Sequence, residues 1–314
     1  MSLASPRTVV FAYSNVGVRC LAALLANNVN VVLVVTHEND PGENIWFDSV
    51  AELAALNAIP TITPSNPNTP EIIEQIKQCA PDWLFSFYYR KMLCDELITL
   101  PRQGAFNMHG SLLPRYRGKA PINWAVLHGE KQTGASLHRM VTKPDAGPLL
   151  DQQAVDILPN DTAHEVAQKV TLAAEQILMR SLPLLANQSL RETDLDLSQG
   201  NYFSGRRPED GRIDWQASAW QIHNLIRAVA PPYPGAFFDV GDTRVTVLGS
   251  YYRDEAQDQN DNAQDKTVRI YWNAGRCWAD CVDGKRICLT HIKVGNIELD
   301  EKGFHQHFGQ FWHF

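Results

Sequence analysis

The 314-residue sequence is poor in cysteine, in long apolar runs and in net positive charge. Its six cysteines (Cys20, Cys79, Cys94, Cys277, Cys281, Cys288) are too sparse to staple a chain of this length, so disulfides are not expected to hold the fold. Three of them lie near His291, but their C-x3-C and C-x6-C spacings fit no common zinc pattern. They read as strand residues packing as small hydrophobes, and no metal is expected. Apolar stretches such as Leu21–Ala26 and Val31–Val35 fall far short of the roughly 18 residues that span a bilayer. The first residues lack the basic-then-apolar order of a secretory signal. The expectation is a cytoplasmic protein with no membrane partner. A formal charge of −7 argues against a general nucleic-acid binder. Also absent is G-x-G-x-x-G. The turn after the first β-rich run reads "YSNVGVRC", with a single glycine, so dinucleotide binding there is not expected.

The composition that is present, 44% hydrophobic, can bury a substantial core, and the length suggests about two domains. "TVVFAYS" (8–14), "VGVRCLAALLAN" and "VNVVLVVT" (29–36) read strand, helix, strand, the opening of a parallel sheet. "NTPEIIEQIKQCAP" (68–81) predicts a helix with Thr69 as N-cap and Pro70 in its first position, and "DWLFSFYY" (82–89) a further strand. "GAFNMHG" follows as a strand, then "GASLHRMV" (134–141) and "LLDQQAVDI" (149–157) as an antiparallel pair joined by "TKPDAGP". Thr162 and Glu165 form a capping box that opens a helix of about twenty residues. "SQGNYFSGRRPEDGRIDW" (198–215) resembles a linker, and Ser218 and Gln221 form a second capping box. Beyond Tyr233 only short strands follow, which predicts a small β-barrel. Among them, "RDEAQDQNDNAQD" (253–265) is polar and aperiodic and reads as a solvated loop. The predicted division is a catalytic domain over 1–200 and a helix with a small barrel over 201–314.

One stretch of the first part stands out. In "GAFNMHG" side chains alternate faces, so Asn107 and His109 point one way while Phe106 and Met108 point the other. At the carboxyl end of a strand in an open α/β sheet, that face looks into the ligand crevice. Arg115, Arg117 and Lys119 follow closely.

"FNMHGSLLPRYRGKAPINWA" and "GASLHRMVTKPDAGPLL" resemble the two motifs of the 10-formyltetrahydrofolate-dependent formyltransferases. The resemblance runs from "VVFAYS" through "IRAVAPPYPGAF" and weakens in the last β segment. "FAYSNVG", "THENDPGE", "FSFYYRKML" and "HRMVTKPDAG" are similar to the branch found as one domain of bifunctional UDP-4-amino-4-deoxy-L-arabinose formyltransferase/UDP-glucuronic acid decarboxylases. Nothing after Phe314 corresponds to the NAD-dependent decarboxylase half, so a free-standing relative or a fragment is expected.

The resemblance implies a Rossmann-like, mostly parallel sheet followed by an OB-like barrel. It implies a catalytic set of Asn107, His109 and Asp145, with 10-formyltetrahydrofolate as co-substrate. The residue types suit the chemistry. Formyl transfer to an amine builds negative charge on the carbonyl oxygen, where an amide donor is most valuable, and an imidazole near neutral pH can move the protons. Asp145 is expected to stabilise the imidazolium and raise its pKa. Whether His109 acts as base, acid or charged oxyanion partner stays open, as does the choice between loop positioning and simple turn formation for Ser111.

By the same resemblance Lys91, Met92 and Leu93 line the pterin pocket with backbone groups, and Val141, Thr142, Lys143, Pro144 and Asp145 close its other side. Lys119 occupies a folate-contact position, with Arg115 and Arg117 as weaker candidates. For the acceptor, the paired guanidinium groups of Arg206 and Arg207 suit a diphosphate. "NLIRAVAPPYPGAF" (224–237) occurs in sugar and methionyl-tRNA formyltransferases alike and does not decide between them. Charge does. Residues 205–314 hold 13 Lys or Arg against 15 Asp or Glu, so the barrel lacks the positive surface that a tRNA would require. The expected acceptor is a nucleotide-linked 4-amino sugar, with a role in lipopolysaccharide modification and polymyxin resistance. Other UDP- or dTDP-amino sugars, methionyl-tRNA formylation and a silent folate-binding regulator are the alternatives. Homo-oligomerisation stays open.

Overall fold

The structure, a computed structural model, describes residues 5–40, 42, 44–253 and 267–313. The chain divides into two compact units, the first comprising 1–121, 133–155 and 168–203 and the second 122–132, 156–167 and 204–314.

In the first unit, strands β1 (Arg7–Ala12), β2 (Asn30–Val35), β3 (Thr61–Ile62), β4 (Trp83–Phe87) and β5 (Gly104–His109) alternate with helices α1 (Ser14–Ala26), α2 (Val50–Leu56), α3 (Pro70–Gln78) and α4 (Asp95–Thr99). A short strand β6 (Arg117–Gly118) comes before helix α5 (Pro121–Leu127), which belongs to the second unit. Strands β7 (Gln132–Arg139) and β8 (Leu149–Asp156), helix α6 (Ala163–Ala186) and strand β9 (Tyr202–Phe203) complete this part of the chain. The main sheet runs β3-β2-β1-β4-β5-β7-β8. Pairing is parallel from β3 through β5, and β7 joins antiparallel to β5.

The central strands are buried along nearly their whole length because helices cover both faces, which is why they read as apolar runs rather than alternations. Val9, Phe11, Leu33, Val35 and Leu84 pack with Ile73 and Ile76 of α3 and Leu97 and Ile98 of α4. The chain leaves β1 toward β2 on one side and returns to β4 on the other, so the carboxyl ends of β1 and β4 form a topological switch point. Strand β4 ends at Phe87 rather than extending to residue 89, since Tyr88 adopts a left-handed φ of 56° that no strand continues through.

The second unit carries α7 (Ala219–Ala228), β10 (Ala236–Val240), β11 (Thr243–Tyr251), β12 (Arg269–Asn273), β13 (Arg276–Asp280), β14 (Arg286–Val294), β15 (Ile297–Glu298), α8 (Glu301–Phe308) and β16 (Phe311–His313). Its antiparallel sheet follows β10-β11-β14-β13-β12-β16, with β15 on β14. The expected α/β-then-β order is therefore present. Ile222 and Ile226 of α7 pack with Val247, Ile270, Ile287 and Phe304 in its core. Both capping boxes form, Thr162 with Glu165 and Ser218 with Gln221. Thr69 does occupy the N-cap of α3, but its side chain makes no capping bond. Helix α8 departs from the expectation that only short strands follow Tyr233. The segment 253–265, read as a solvated loop, lies outside the described residues apart from Arg253. Among the described residues no helix is long and apolar enough to cross a membrane.

Candidate active site

The register of β5 and β7 sets Asn107 opposite His138 and His109 opposite Ser136. Directly opposed residues share a face of the sheet, so all four side chains look the same way. The loop after β7 brings Asp145 onto this face. Its Oδ1 lies 3.5 Å from His109 Nδ1, 3.5 Å from Asn107 Nδ2 and 3.6 Å from His138 Nε2. Its Oδ2 accepts the backbone N–H of Gly118 at 2.9 Å. Asp145 has φ 51°, a left-handed conformation that costs a side-chain-bearing residue on the order of 1 kcal/mol and persists where its surroundings demand it.

Residues 110–118 wrap around the histidine. Tyr116 O lies 2.8 Å from His109 Nε2. A carbonyl can only accept, so Nε2 carries the hydrogen and Nδ1 is the nitrogen that gains or loses a proton beside Asp145. Tyr116 is held by Asn201 Oδ1, which accepts its N–H at 2.6 Å, and by Phe203, whose ring stacks on it with centroids 5.3 Å apart. Gly118 has φ 96°, and a Cβ there would sit 2.2 Å from Phe203 O, so only glycine lets β6 approach β9 while aiming its N–H at Asp145. Ser111 donates to Arg115 O at 2.6 Å, and Ser136 donates to Ser111 O at 2.6 Å. Both serines are buried. Ser111 thus holds the loop.

His138 Nδ1 lies 2.9 Å from Arg139 O and Nε2 lies 3.1 Å from Asn107 Nδ2. With its hydrogen on Nδ1, the ring accepts from the Asn107 amide and orients it. His138 sits inside a quoted motif yet was not picked out as a site residue. The same period-2 reasoning that paired Asn107 with His109 would have found it, because Ser136 and His138 also alternate with apolar neighbours.

Burial pushes the His109 imidazole down, and the Asp145 carboxylate and Tyr116 carbonyl only partly oppose this. That corrects the expectation of a raised pKa. Asp145 does favour the imidazolium, but desolvation outweighs it. For Asp145, burial alone would raise the pKa, while His109, His138 and the Gly118 N–H more than offset burial and hold the carboxyl well below the usual carboxylate range. The resting site pairs a carboxylate with a neutral imidazole.

The remaining predicted residues fall into separate groups. Lys91, Met92 and Leu93 follow β4 at the switch point. Asn68 holds this turn, donating to Met92 O and accepting from Cys94 N–H, each at 2.9 Å. Met92 is 60% exposed, whereas Leu93 is buried in the core, and Lys91 Nζ donates to Ser65 O. Val141, Thr142 and Lys143 are exposed on the loop that carries Asp145, and Pro144 is half-buried. Lys119 is exposed, with its N–H bonded to Phe203 O. In the second unit Arg206 is half-buried, lies 5.0 Å over the Trp124 ring and donates to Asp210 O at 3.0 Å. Arg207 is exposed, and its N–H caps a short 3-10 turn through Asp210.

The fold has counterparts among known proteins. The fold is similar to an N-formyltransferase from Helicobacter canadensis determined with folinic acid and dTDP-3-aminofucose, with TM-score 0.71 and 22% identity over 91% of this chain and 99% of that one. It is similar to the sugar 3N-formyltransferase WlaRD, determined with dTDP and 5-N-formyl-THF, with TM-score 0.71 and 21% identity over 93% and 98%. HypX from Aquifex aeolicus, in complex with tetrahydrofolic acid, matches with TM-score 0.64 and 15% identity over 96% of this chain and 47% of its own. The formyl transferase domain matches residues 7–182 and the formyl transferase C-terminal domain residues 206–303, so the chain belongs to the formyl transferase family.

Proposed function

We propose that this formyltransferase moves the formyl group of 10-formyltetrahydrofolate to the amine of a nucleotide-linked 4-amino sugar, UDP-4-amino-4-deoxy-L-arabinose being the first substrate to test. On this reading the enzyme serves the modification of lipopolysaccharide that underlies polymyxin resistance. The observation that carries the proposal is the convergence of Asn107, His109 and Asp145 on one face at the end of β5.

In this reading Asn107, oriented by His138, turns its second N–H from the long 3.5 Å contact with Asp145 to the oxygen of the reacting carbonyl as that oxygen gains charge. His109, neutral at rest, takes a proton from the attacking amine on Nδ1 while its Nε2–H stays on Tyr116 O. Asp145 stabilises the imidazolium so formed. The new C–N bond joins sugar nitrogen to formyl carbon, the bond to the folate nitrogen breaks, and the proton held by His109 passes to that nitrogen. Lys91, Met92 and Leu93, at the switch point where α/β sheets bind ligands, and Val141–Asp145 are assigned to the pterin, and Lys119 to the folate carboxylates. Arg206 and Arg207 are assigned to the diphosphate.

Support for a sugar acceptor comes from charge. With 13 cations against 15 anions over residues 205–314, counterion release could contribute little to tRNA binding. Mass spectrometry after incubation with 10-formyltetrahydrofolate and a panel of UDP- and dTDP-amino sugars should show a gain of one formyl group on a UDP-linked 4-amino sugar. Aminoacylated initiator tRNA should stay unmodified. Formylation of the tRNA with every sugar nucleotide inert would overturn the reading.

A further inference from the structure

We infer that Arg117 binds a phosphoryl oxyanion of the acceptor, the phosphoryl group bonded directly to the amino sugar. The inference rests on the nucleotide-sugar reading above.

Arg117 is 8% exposed, and its Nε is fully enclosed with no hydrogen-bond partner. Among the described residues no ion pair or hydrogen bond reaches its side chain. A guanidinium cannot shed its charge at physiological pH, so a buried one without a partner costs stability. The Nε atoms of Arg206 and Arg286 are also enclosed without a hydrogen bond, but Arg206 donates through its Nη2 to Asp210 O and Arg286 pairs with Asp280. Arg227, buried more deeply still, donates to Asn224 Oδ1, Asp161 O and Val126 O. A fixed, enclosed and unneutralised cation suits an anion that arrives with a substrate.

Its position selects the anion. The residue before it supplies the carbonyl that holds His109, and the residue after it supplies the N–H that holds Asp145. Its own N–H is bonded to Asn201 O at 3.1 Å, which fixes its backbone. Arg117 therefore reaches only anions close to the reacting centre. In a nucleotide-linked amino sugar, one sugar ring separates the amine from the nearest phosphoryl. The carboxylates of the folate lie farther off, beyond an aminobenzoyl ring and an amide. Asp145 does not satisfy the guanidinium, since its oxygens are taken by Gly118 and the two histidines and it forms no ion pair with Arg117. The planar fork can grip two phosphoryl oxygens at once.

The test is Arg117→Met, which removes the charge and keeps most of the side-chain volume, with Arg117→Lys beside it. For Arg117→Met the KM for the UDP-amino sugar should rise about tenfold or more, at least fivefold beyond any change in the folate KM, with Arg117→Lys intermediate. The variant's melting temperature should equal or exceed that of the wild type, because an unpaired buried charge is replaced by an apolar group. UDP should raise the wild-type melting temperature by more than twice the shift it gives Arg117→Met. A rise confined to the folate KM, an unchanged acceptor KM, or a lowered melting temperature with both KM values rising together would overturn the inference. If the wild type formylates no nucleotide sugar, the proposed function fails by itself. UDP shifting both proteins equally would then overturn the role of Arg117, and a shift lost in Arg117→Met would support it.

Discussion

Two carboxylates, one in each unit, show how similar geometry serves different ends. Asp280 is fully buried, and its partners are chosen by strand register, with Arg269 on β12 and Arg286 on β14 directly opposite. Arg269 Nε lies 2.7 Å and Arg286 Nε 3.5 Å from its oxygens, and Tyr271 donates its hydroxyl at 3.2 Å. Two of these partners are permanent cations, and burial with the nearby carboxylate pushes the Tyr271 phenol up to about 12. The cluster ties three strands. Asp145 instead faces two histidines and a backbone N–H. His109 keeps Nδ1 open to a proton beside this carboxylate, which is the arrangement a proton-transfer step requires.

Buried histidines sharpen the contrast. His223 has Ser250 Oγ at 2.8 Å from Nδ1 and Pro159 O at 3.0 Å from Nε2, so both nitrogens are satisfied by uncharged groups. Burial, with Arg227 nearby, pushes it down to about 4, and it stays a neutral core residue. His109 shares the carbonyl partner but leaves Nδ1 against a carboxylate. The carbonyl contact is common to both, and the carboxylate makes the difference.

The comparison can be broken by exchanging consequences. Asp280→Ala leaves two mostly buried guanidinium groups uncompensated and should cost about 3 kcal/mol of stability, read from chemical denaturation. The surviving folded protein should keep its turnover number. A stable variant with impaired chemistry would erase the distinction.

Asp145→Asn should preserve the fold better, because an amide oxygen can still accept the Gly118 N–H, yet lower kcat on the order of a hundredfold. Removing the carboxylate withdraws the influence that partly opposes burial, so the His109 pKa should fall further below its ordinary value. An NMR titration showing the same value in both proteins would dismiss that role.

Acid sensitivity follows with a definite sign. Both His109 and Asp145 have folded pKa values below their unfolded ones, so the unfolded chain takes up each proton first as pH falls. Their contribution is complete above about pH 6.5 and declines from there for His109 and from about pH 4 for Asp145. Denaturation midpoints measured from pH 7 to pH 2 should fall in the wild type, and Asp145→Asn should lose the part of that dependence below about pH 4. The smallest expected effect lies far from the chemistry. Ser218→Ala removes the hydroxyl that accepts Gln221 N–H at the start of α7 and should cost about 1 kcal/mol, with KM values unchanged.

Much of this was legible in the residues because periodicity and capping are local. The apolar runs of β1, β2 and β4, the alternation in "GAFNMHG" and the two capping boxes needed only a few neighbouring positions. What was missed depends on distant chain. Asp145 and Tyr116 adopt left-handed φ, stabilised by contacts 27 to 85 residues away in sequence. Arg117 reads only as a weaker folate-contact candidate, and its burial beside β9 is not visible in the local sequence. The pKa of His109 could be guessed from its carboxylate but not from its burial, and burial prevailed.

The central claim is that the face shared by Asn107, His109 and Asp145 performs formyl transfer rather than merely holding the strand end. Its most direct test is single-turnover kinetics of Asn107→Ala and His109→Ala, each shown to be folded and to bind folate. The account predicts that formyl transfer slows by about a hundredfold or more in each, with folate affinity largely kept, since both groups act on charge that develops in the transition state. Near-normal transfer in either variant would contradict it.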